Sequence, residues 1–267
     1  MRKSWKWMKI AIIIYCVIGI ALYYLQDYIL FHPVKVTQQQ TYNFTIPHKE
    51  INIQYSANST INIAQFLVPD SLVTGVVLYF HGNKKNISWY SRFSPYFTRN
   101  GYEVWMIDYP GFGKSTGTFS EQRLYDWALT LYKLARARFS PDSIIIYGKS
   151  MGTGIAAQLA SIRDCRYLIL ETPYYNMPSI IDNYLPIYPV NKMIHYKLPT
   201  WQYLQNVTAP VTIFHGTGDW VIPYRNAERL KPFLKSSDQF ITIDDGSHND
   251  LYKFPLVINK LDSLLKK

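Results

Sequence analysis

The chain has 267 residues, 48% of them hydrophobic and 16% aromatic, and a formal net charge of +10 from 28 basic and 18 acidic side chains. This composition excludes a disordered or low-complexity chain, and the length suits one α/β domain plus a short extra segment. Cys16 lies in an apolar N-terminal run and Cys165 is alone in the rest, so neither an internal disulfide nor a cysteine-based metal site is expected there.

Arg2, Lys3, Lys6 and Lys9 precede Ile10–Leu25, a run of sixteen residues without a charge. As a helix that run is about 24 Å long, short of a ~30 Å hydrocarbon core. Trp5, Trp7 and Met8 extend it on one side, and Tyr28 to Phe31 on the other. A transmembrane anchor is therefore expected over residues 10–31, followed by a linker over 32–48 and a folded domain over 49–267. The basic flank puts residues 1–9 in the cytoplasm and the domain on the non-cytoplasmic side. A cleaved signal peptide is the rival, but Gly19-Ile20-Ala21 runs into bulky Tyr23 and Tyr24, a poor cleavage context. Four of the ten net charges belong to this flank. The remaining +6 favours anionic headgroups over nucleic acid, since no aromatic-basic repeat accompanies it.

Beyond the anchor, β-rich runs predict strands at 50–55, 60–68, 75–80, 103–108, 143–147, 167–170, 211–215 and 239–243. Helical periodicity falls at 88–99, 120–139, 151–162, 224–234 and 250–265. That alternation predicts an α/β fold with a mostly parallel, eight-stranded sheet and helices on both faces. Residues 172–207, rich in Tyr, Pro and Trp, interrupt it as a lid-like insertion. Tyr174, Tyr175, Tyr184, Tyr188 and Trp201 either line an apolar groove or pack on the domain. Gly113-Lys114-Ser115 and Gly148-Lys149-Ser150 resemble part of a phosphate loop, but Asp108 and Ser143 stand where its first glycine would be, which excludes nucleotide binding.

Ser150 lies in Gly148-Lys149-Ser150-Met151-Gly152, between a β-branched run and an Ala-rich helical pattern. A strand, a sharp turn and a helix around G-x-S-x-G form a nucleophile elbow. A serine hydroxyl needs a base to take its proton and an acid to orient that base. In the chain order that accompanies this elbow, both follow the serine. Of six histidines only His195, His215 and His248 do so, and His248 alone sits on a loop after a predicted strand. Asp219 is the candidate acid, on the Gly-rich loop after Val211–His215. Glu171, at the end of the preceding strand, is its rival.

Five pieces stand in order: Tyr79-Phe80-His81-Gly82-Asn83, Asp108-Tyr109-Pro110-Gly111-Phe112-Gly113, Gly148–Gly152, Gly218-Asp219-Trp220-Val221-Ile222-Pro223 and Gly246-Ser247-His248-Asn249-Asp250. With them the chain resembles the α/β-hydrolase superfamily, and more narrowly its single-pass membrane-anchored serine hydrolases, some of which cleave lysophospholipids or depalmitoylate proteins. The resemblance implies Ser150 as nucleophile, Asp219 as orienting acid and His248 as general base. It implies an oxyanion hole from the backbone N–H groups of Asn83 and Met151, with His81 fixing that loop. Lys84 and Lys85, where relatives often carry a small residue, are either a solvated edge or a contact for an anionic substrate group. The expected function is hydrolysis of ester or thioester bonds in lipid-like acyl or small ester substrates, without cofactor or metal. A serine peptidase on the same fold and an inactive anchored binding module are the alternatives. Because the triad lies wholly beyond the anchor, a chain beginning near Thr41 is expected to keep activity on small esters.

Overall fold

A computed structural model describes residues 2–266. Met1 and Lys267, the outer ends of the expected basic segment and folded domain, lie outside the described residues. Helix α1, Arg2–Leu30, is continuous, and its residues Ser4–Leu30 are long and apolar enough to cross a membrane by length and composition.

The segment expected as a linker is tied down. Strand β1 (His32–Pro33) pairs in parallel with β5 (Lys84–Lys85), and Val34 and Val36 exchange backbone hydrogen bonds with Gly113. Tyr42 is buried, and its hydroxyl donates to Asp108 Oδ2 at 3.2 Å. Nothing in the composition of 32–48 announces these contacts, because their partners lie about 50 and 80 residues further along the chain.

The main sheet has eight strands: β2 (His48–Ser56), β3 (Ser59–Phe66), β4 (Gly75–Phe80), β6 (Tyr102–Ile107), β7 (Ile144–Lys149), β8 (Tyr167–Glu171), β9 (Val211–Gly216) and β10 (Gln239–Ile243). Their order is β10-β9-β8-β7-β4-β6-β3-β2, parallel from β10 to β6 and antiparallel at the β6-β3-β2 edge. Strand alternation splits the core into two layers. Val76, Leu78, Phe80, Ile144 and Ile146 face one layer, and Val77, Tyr79, Ile145 and Tyr147 the other.

Helices α4 (Glu121–Arg136) and α5 (Gly152–Ile162) cover the first face. In α4 the buried positions Leu124, Trp127, Ala128, Leu131 and Ala135 repeat at helical spacing, and the Ser120 hydroxyl caps the amino end by accepting from the Arg123 N–H. The second face is covered by α2 (Ile87–Tyr90), α3 (Pro95–Thr98) and α10 (Pro255–Leu265).

Three helical expectations are shortened, each at a proline. The run 88–99 divides into α2 and α3, with Pro95 opening the second piece. The run 250–265 becomes α-helical only at Pro255, after a 3₁₀ turn over Leu251–Lys253; Pro255 favours a first turn because it has no N–H to leave unpaired. The run 224–234 holds α9 (Tyr224–Glu228) and then a 3₁₀ turn containing Pro232. Between β8 and β9, residues 172–207 carry three short helices, α6 (Met177–Asp182), α7 (Val190–Met193) and α8 (Thr200–Leu204).

Candidate active site

Strand β7 ends at Lys149, α5 begins at Gly152, and Ser150 between them has φ +51°, a left-handed conformation that costs a non-glycine residue energy. The flanking glycines are required by contact. A Cβ on Gly148 would come within 2.5 Å of the Gly152 carbonyl oxygen, and one on Gly152 within 2.0 Å of the Phe80 carbonyl oxygen. The turn is held by the Ser150 N–H donating to the Glu171 carbonyl at 2.9 Å, and by the Thr153 N–H and hydroxyl, which both donate to the Ser150 carbonyl.

The loops after β9 and β10 bring the other two residues to this turn. His248 Nε2 is 3.0 Å from Ser150 Oγ, and His248 Nδ1 is 2.8 Å from Asp219 Oδ2. Asp219 Oδ1 accepts the N–H groups of Val221 and Ile222 at 2.9 and 2.8 Å. Burial alone would raise the Asp219 carboxyl. The hydrogen bond and charge of His248, helped by the Ile222 N–H, outweigh it and hold Asp219 below the ordinary carboxylate value. An ionised Asp219 fixes the imidazole proton on Nδ1 and leaves Nε2 free to accept from the serine.

The other candidate residues go elsewhere. Glu171 is bound by the Lys149 ammonium and the Tyr147 hydroxyl, not by His248. His215 donates from Nε2 to the Ile222 carbonyl at 3.0 Å, and its burial lowers its pKa despite Asp219 at 3.7 Å, keeping the ring neutral. His195 lies beside Tyr23 of α1. His81 is fully buried, Nε2 facing Asp108 Oδ1 at 3.2 Å, and its backbone carbonyl accepts from the Tyr109 hydroxyl, which fixes the loop ahead of Asn83.

Lys149 is a contributor that sequence reasoning missed. Its buried ammonium donates to both Glu171 and the His248 carbonyl, the latter at 3.1 Å, so it ties the elbow strand to the histidine loop. The available signal was a lysine inside an apolar strand followed by a glutamate at the end of the next one. Alignment of Lys149 with Glu171 in the β7–β8 register makes them partners.

Two cavities meet at Ser150. One of about 210 Å³ is bordered by Lys84, Lys85, Trp89, Trp220 and His248. The other, about 270 Å³, is bordered by Asn83, Met151, Tyr174, Met177 and Ile181, and also by Ile29 and Leu30 of α1. Asn83 and Met151 thus both border the space at the serine hydroxyl. The Asn83 loop is held from the α1 side: its side-chain amide donates to the Leu30 carbonyl at 2.6 Å, and its carbonyl accepts the His32 N–H at 2.9 Å. Of the aromatic residues between 172 and 207, Tyr174 and Tyr184 border this cavity. Tyr175 stacks on Trp201 beneath Arg229, away from it.

A family model described as serine aminopeptidase, S33, matches residues 72–203. The uncharacterized protein YfhR of Escherichia coli K12 is 24% identical over 217 residues, 77% of this chain and 76% of its own length. The lysophosphatidylserine lipase ABHD12 of Danio rerio is 29% identical over 222 residues, covering 72% of this chain and 58% of that protein. Among solved structures, an esterase from Pyrococcus furiosus superposes with a TM-score of 0.68 at 16% identity, over 88% of this chain and 97% of its own. A soluble variant of the monoglyceride lipase of Saccharomyces cerevisiae gives 0.64 at 16% identity, over 85% and 97%. With this sheet order and elbow, these likenesses make the chain a member of the α/β-hydrolase superfamily.

Proposed function

We propose that this protein is a membrane-anchored serine hydrolase that cleaves ester or thioester bonds of lipid-like acyl substrates through a covalent acyl-enzyme. The observation that carries the reading is the hydrogen-bonded chain from Ser150 through His248 to Asp219, at the point where the two cavities meet. Ser150 Oγ attacks the substrate carbonyl while His248 Nε2 takes its proton, and Asp219 stabilises the resulting imidazolium. The oxyanion sits against the backbone N–H groups of Asn83 and Met151, where one donor is typically worth about 3 kcal/mol of transition-state stabilisation. The same imidazolium protonates the departing alcohol or thiol. Water, deprotonated by His248, then releases the acid and restores the serine.

The apolar cavity bordered by Ile29, Met177 and Ile181 suits the acyl group, and the cavity bordered by Lys84 and Lys85 suits the leaving group, with a preference for an anionic one. The lipase names of the zebrafish and yeast relatives agree with a lipid ester. The aminopeptidase description of the family model favours a peptide bond instead. Assay of matched p-nitrophenyl ester and amide substrates separates the two readings, with turnover of the ester expected.

A fluorophosphonate probe is expected to label Ser150, and Ser150→Ala to abolish labelling. Equal labelling of the variant would overturn the assignment in favour of an inactive binding module.

The same reading divides the chain into a basic cytoplasmic segment 1–9, an anchor 10–31, a connecting segment 32–48 and a hydrolase domain 49–267 with an insertion over 172–207. Arg2, Lys3, Lys6 and Lys9 before α1's apolar run support a domain on the non-cytoplasmic face. Protease added outside intact cells should then remove the domain and spare an N-terminal tag. Protection of the domain would reverse the orientation.

A further inference from the structure

The insertion between β8 and β9 does more than cover Ser150, because it climbs α1. Near the carboxyl end of the helix, the Tyr196 hydroxyl donates to Asp27 Oδ1 at 2.7 Å, and the Gln26 amide joins the Met193 carbonyl and the His195 N–H. Further up, Tyr188 stacks on Tyr15 with ring centroids 4.5 Å apart. The Tyr188 hydroxyl donates to the Tyr15 carbonyl, and the Tyr15 hydroxyl donates to the Ile187 carbonyl. Gly19 makes room for that ring, since a Cβ there would lie 3.1 Å from Tyr188 Cε1. Tyr15 and Asp27 are twelve residues apart, so the insertion follows the helix for about 18 Å.

The stretch that makes this climb is Tyr184-Leu185-Pro186-Ile187-Tyr188-Pro189-Val190, without a charge, flanked by Asp182-Asn183 and Asn191-Lys192. Its tip residue Ile187 is 70% exposed. An exposed apolar tip bonded to the middle of an apolar, membrane-length helix is suited to lie at the depth of acyl chains, with its polar flanks at the headgroup level.

A groove runs between the two elements, bordered by Leu22 and Gln26 of α1 and by Leu185, Tyr188 and Met193 of the insertion. Its polar side chains are already engaged: the Gln26 amide with the insertion backbone, and the Tyr188 hydroxyl with Tyr15. What remains is hydrocarbon surface. Ile29, Leu30 and Ile181 border this groove and also border the cavity at Ser150, so the two spaces adjoin.

We propose that this groove is an acyl-chain site that receives its occupant laterally from the bilayer, the chain sliding between α1 and the insertion until its ester reaches Ser150. A chain taking this route stays among apolar atoms throughout. Passage through water would instead disfavour it by roughly fourfold for every methylene exposed. α1 is then one wall of the substrate site as well as an anchor. The proposal rests on the hydrolase reading for the ester and adds to it where the acyl chain lies and how it enters.

Full-length protein in mixed micelles is assayed with p-nitrophenyl butyrate and p-nitrophenyl palmitate. Ile181→Trp, at the junction of groove and cavity, and Leu22→Trp, on the helix wall, should each lower the palmitate-to-butyrate ratio of kcat/KM at least tenfold. Ratios within twofold of wild type in both variants overturn the groove. Binding is read independently of turnover with a diazirine-bearing palmitate on full-length Ser150→Ala. Cross-links on the 177–193 segment that disappear when Ile181→Trp is added support the site, and cross-links indifferent to that substitution overturn it. A wild-type chain that cleaves neither ester, yet shows the Ile181-sensitive cross-link, refutes the hydrolase reading and keeps the groove.

Discussion

The two sides of Ser150 are built in opposite ways. On the His248 side every residue proposed to react sits within a few residues of a strand end: Ser150 after β7, Asp219 after β9 and His248 after β10. Parallel register carries these ends to the same edge of the sheet, and backbone contacts as close as Gly152 to Phe80 leave little freedom. On the α1 side the wall is made of short helices and irregular chain whose partners lie about 170 residues away, such as Tyr188 on Tyr15 and Met193 on Gln26. The residues proposed to react are set by strand ends of the main sheet, and the proposed acyl wall by short helices and irregular chain. Selectivity can therefore change on the second side without disturbing the first.

The sharpest way to break that comparison is at the acid. Asp219→Asn should lower the acylation rate by roughly 10⁴-fold, as expected when a triad imidazole loses its proper tautomer, with little change in melting temperature. Glu171→Gln should do the reverse. It leaves the buried Lys149 ammonium without its carboxylate, and breaking one partner of such a pair typically costs about 3–5 kcal/mol of stability. Burst kinetics with a chromogenic ester, set beside thermal unfolding, read both effects. A Glu171→Gln chain of wild-type stability but crippled acylation would move the orienting role to β8.

The same contrast decides what the sequence could disclose. All eight strands of the main sheet lie within a few residues of their expected limits: the parallel ones are largely apolar runs bounded by turn residues, and in the antiparallel edge strand β2 Ile51, Ile53 and Tyr55 alternate with polar residues. Ser150, Asp219 and His248 stand out because each lies in a short glycine-marked turn whose conformation is local. The helices expected over 120–139 and 151–162 are found nearly in full, while the three whose expected run contains a proline are broken or start late, at Pro95, Pro232 and Pro255. The role of Lys149 was hidden because a lysine in a strand declares itself only through register with Glu171. The 32–48 segment reads as a linker, and it reaches Asn83, Asn86 and Gly113 through its own backbone groups, which composition does not encode.

That attachment sharpens the expectation that a chain beginning near Thr41 keeps activity on small esters, because it adds a cost to the separation. A chain beginning there lacks the Leu30 carbonyl that takes the Asn83 amide and the His32 N–H that satisfies the Asn83 carbonyl. It also lacks the Val34 carbonyl that takes the Asn86 amide. The loop carrying Asn83, proposed as one oxyanion donor, is then held only from the domain side. Complete loss of such a donor costs about 10²–10³ in kcat, and a loosened one should cost less, roughly tenfold to a hundredfold. The expected result is a folded Thr41 chain with an intact Ser150–His248–Asp219 arrangement and a kcat on p-nitrophenyl butyrate reduced by that factor. A chain beginning at Ile29 keeps Leu30 and residues 32–48, a strap across the Asn83 loop, while losing most of α1. It should retain far more butyrate activity, and its deficit should appear chiefly with palmitate, because Leu22 and Gln26 of the groove are gone. If the Thr41 chain matches full-length protein on butyrate, the strap plays no part in holding the oxyanion loop, and α1 influences catalysis through the acyl groove alone.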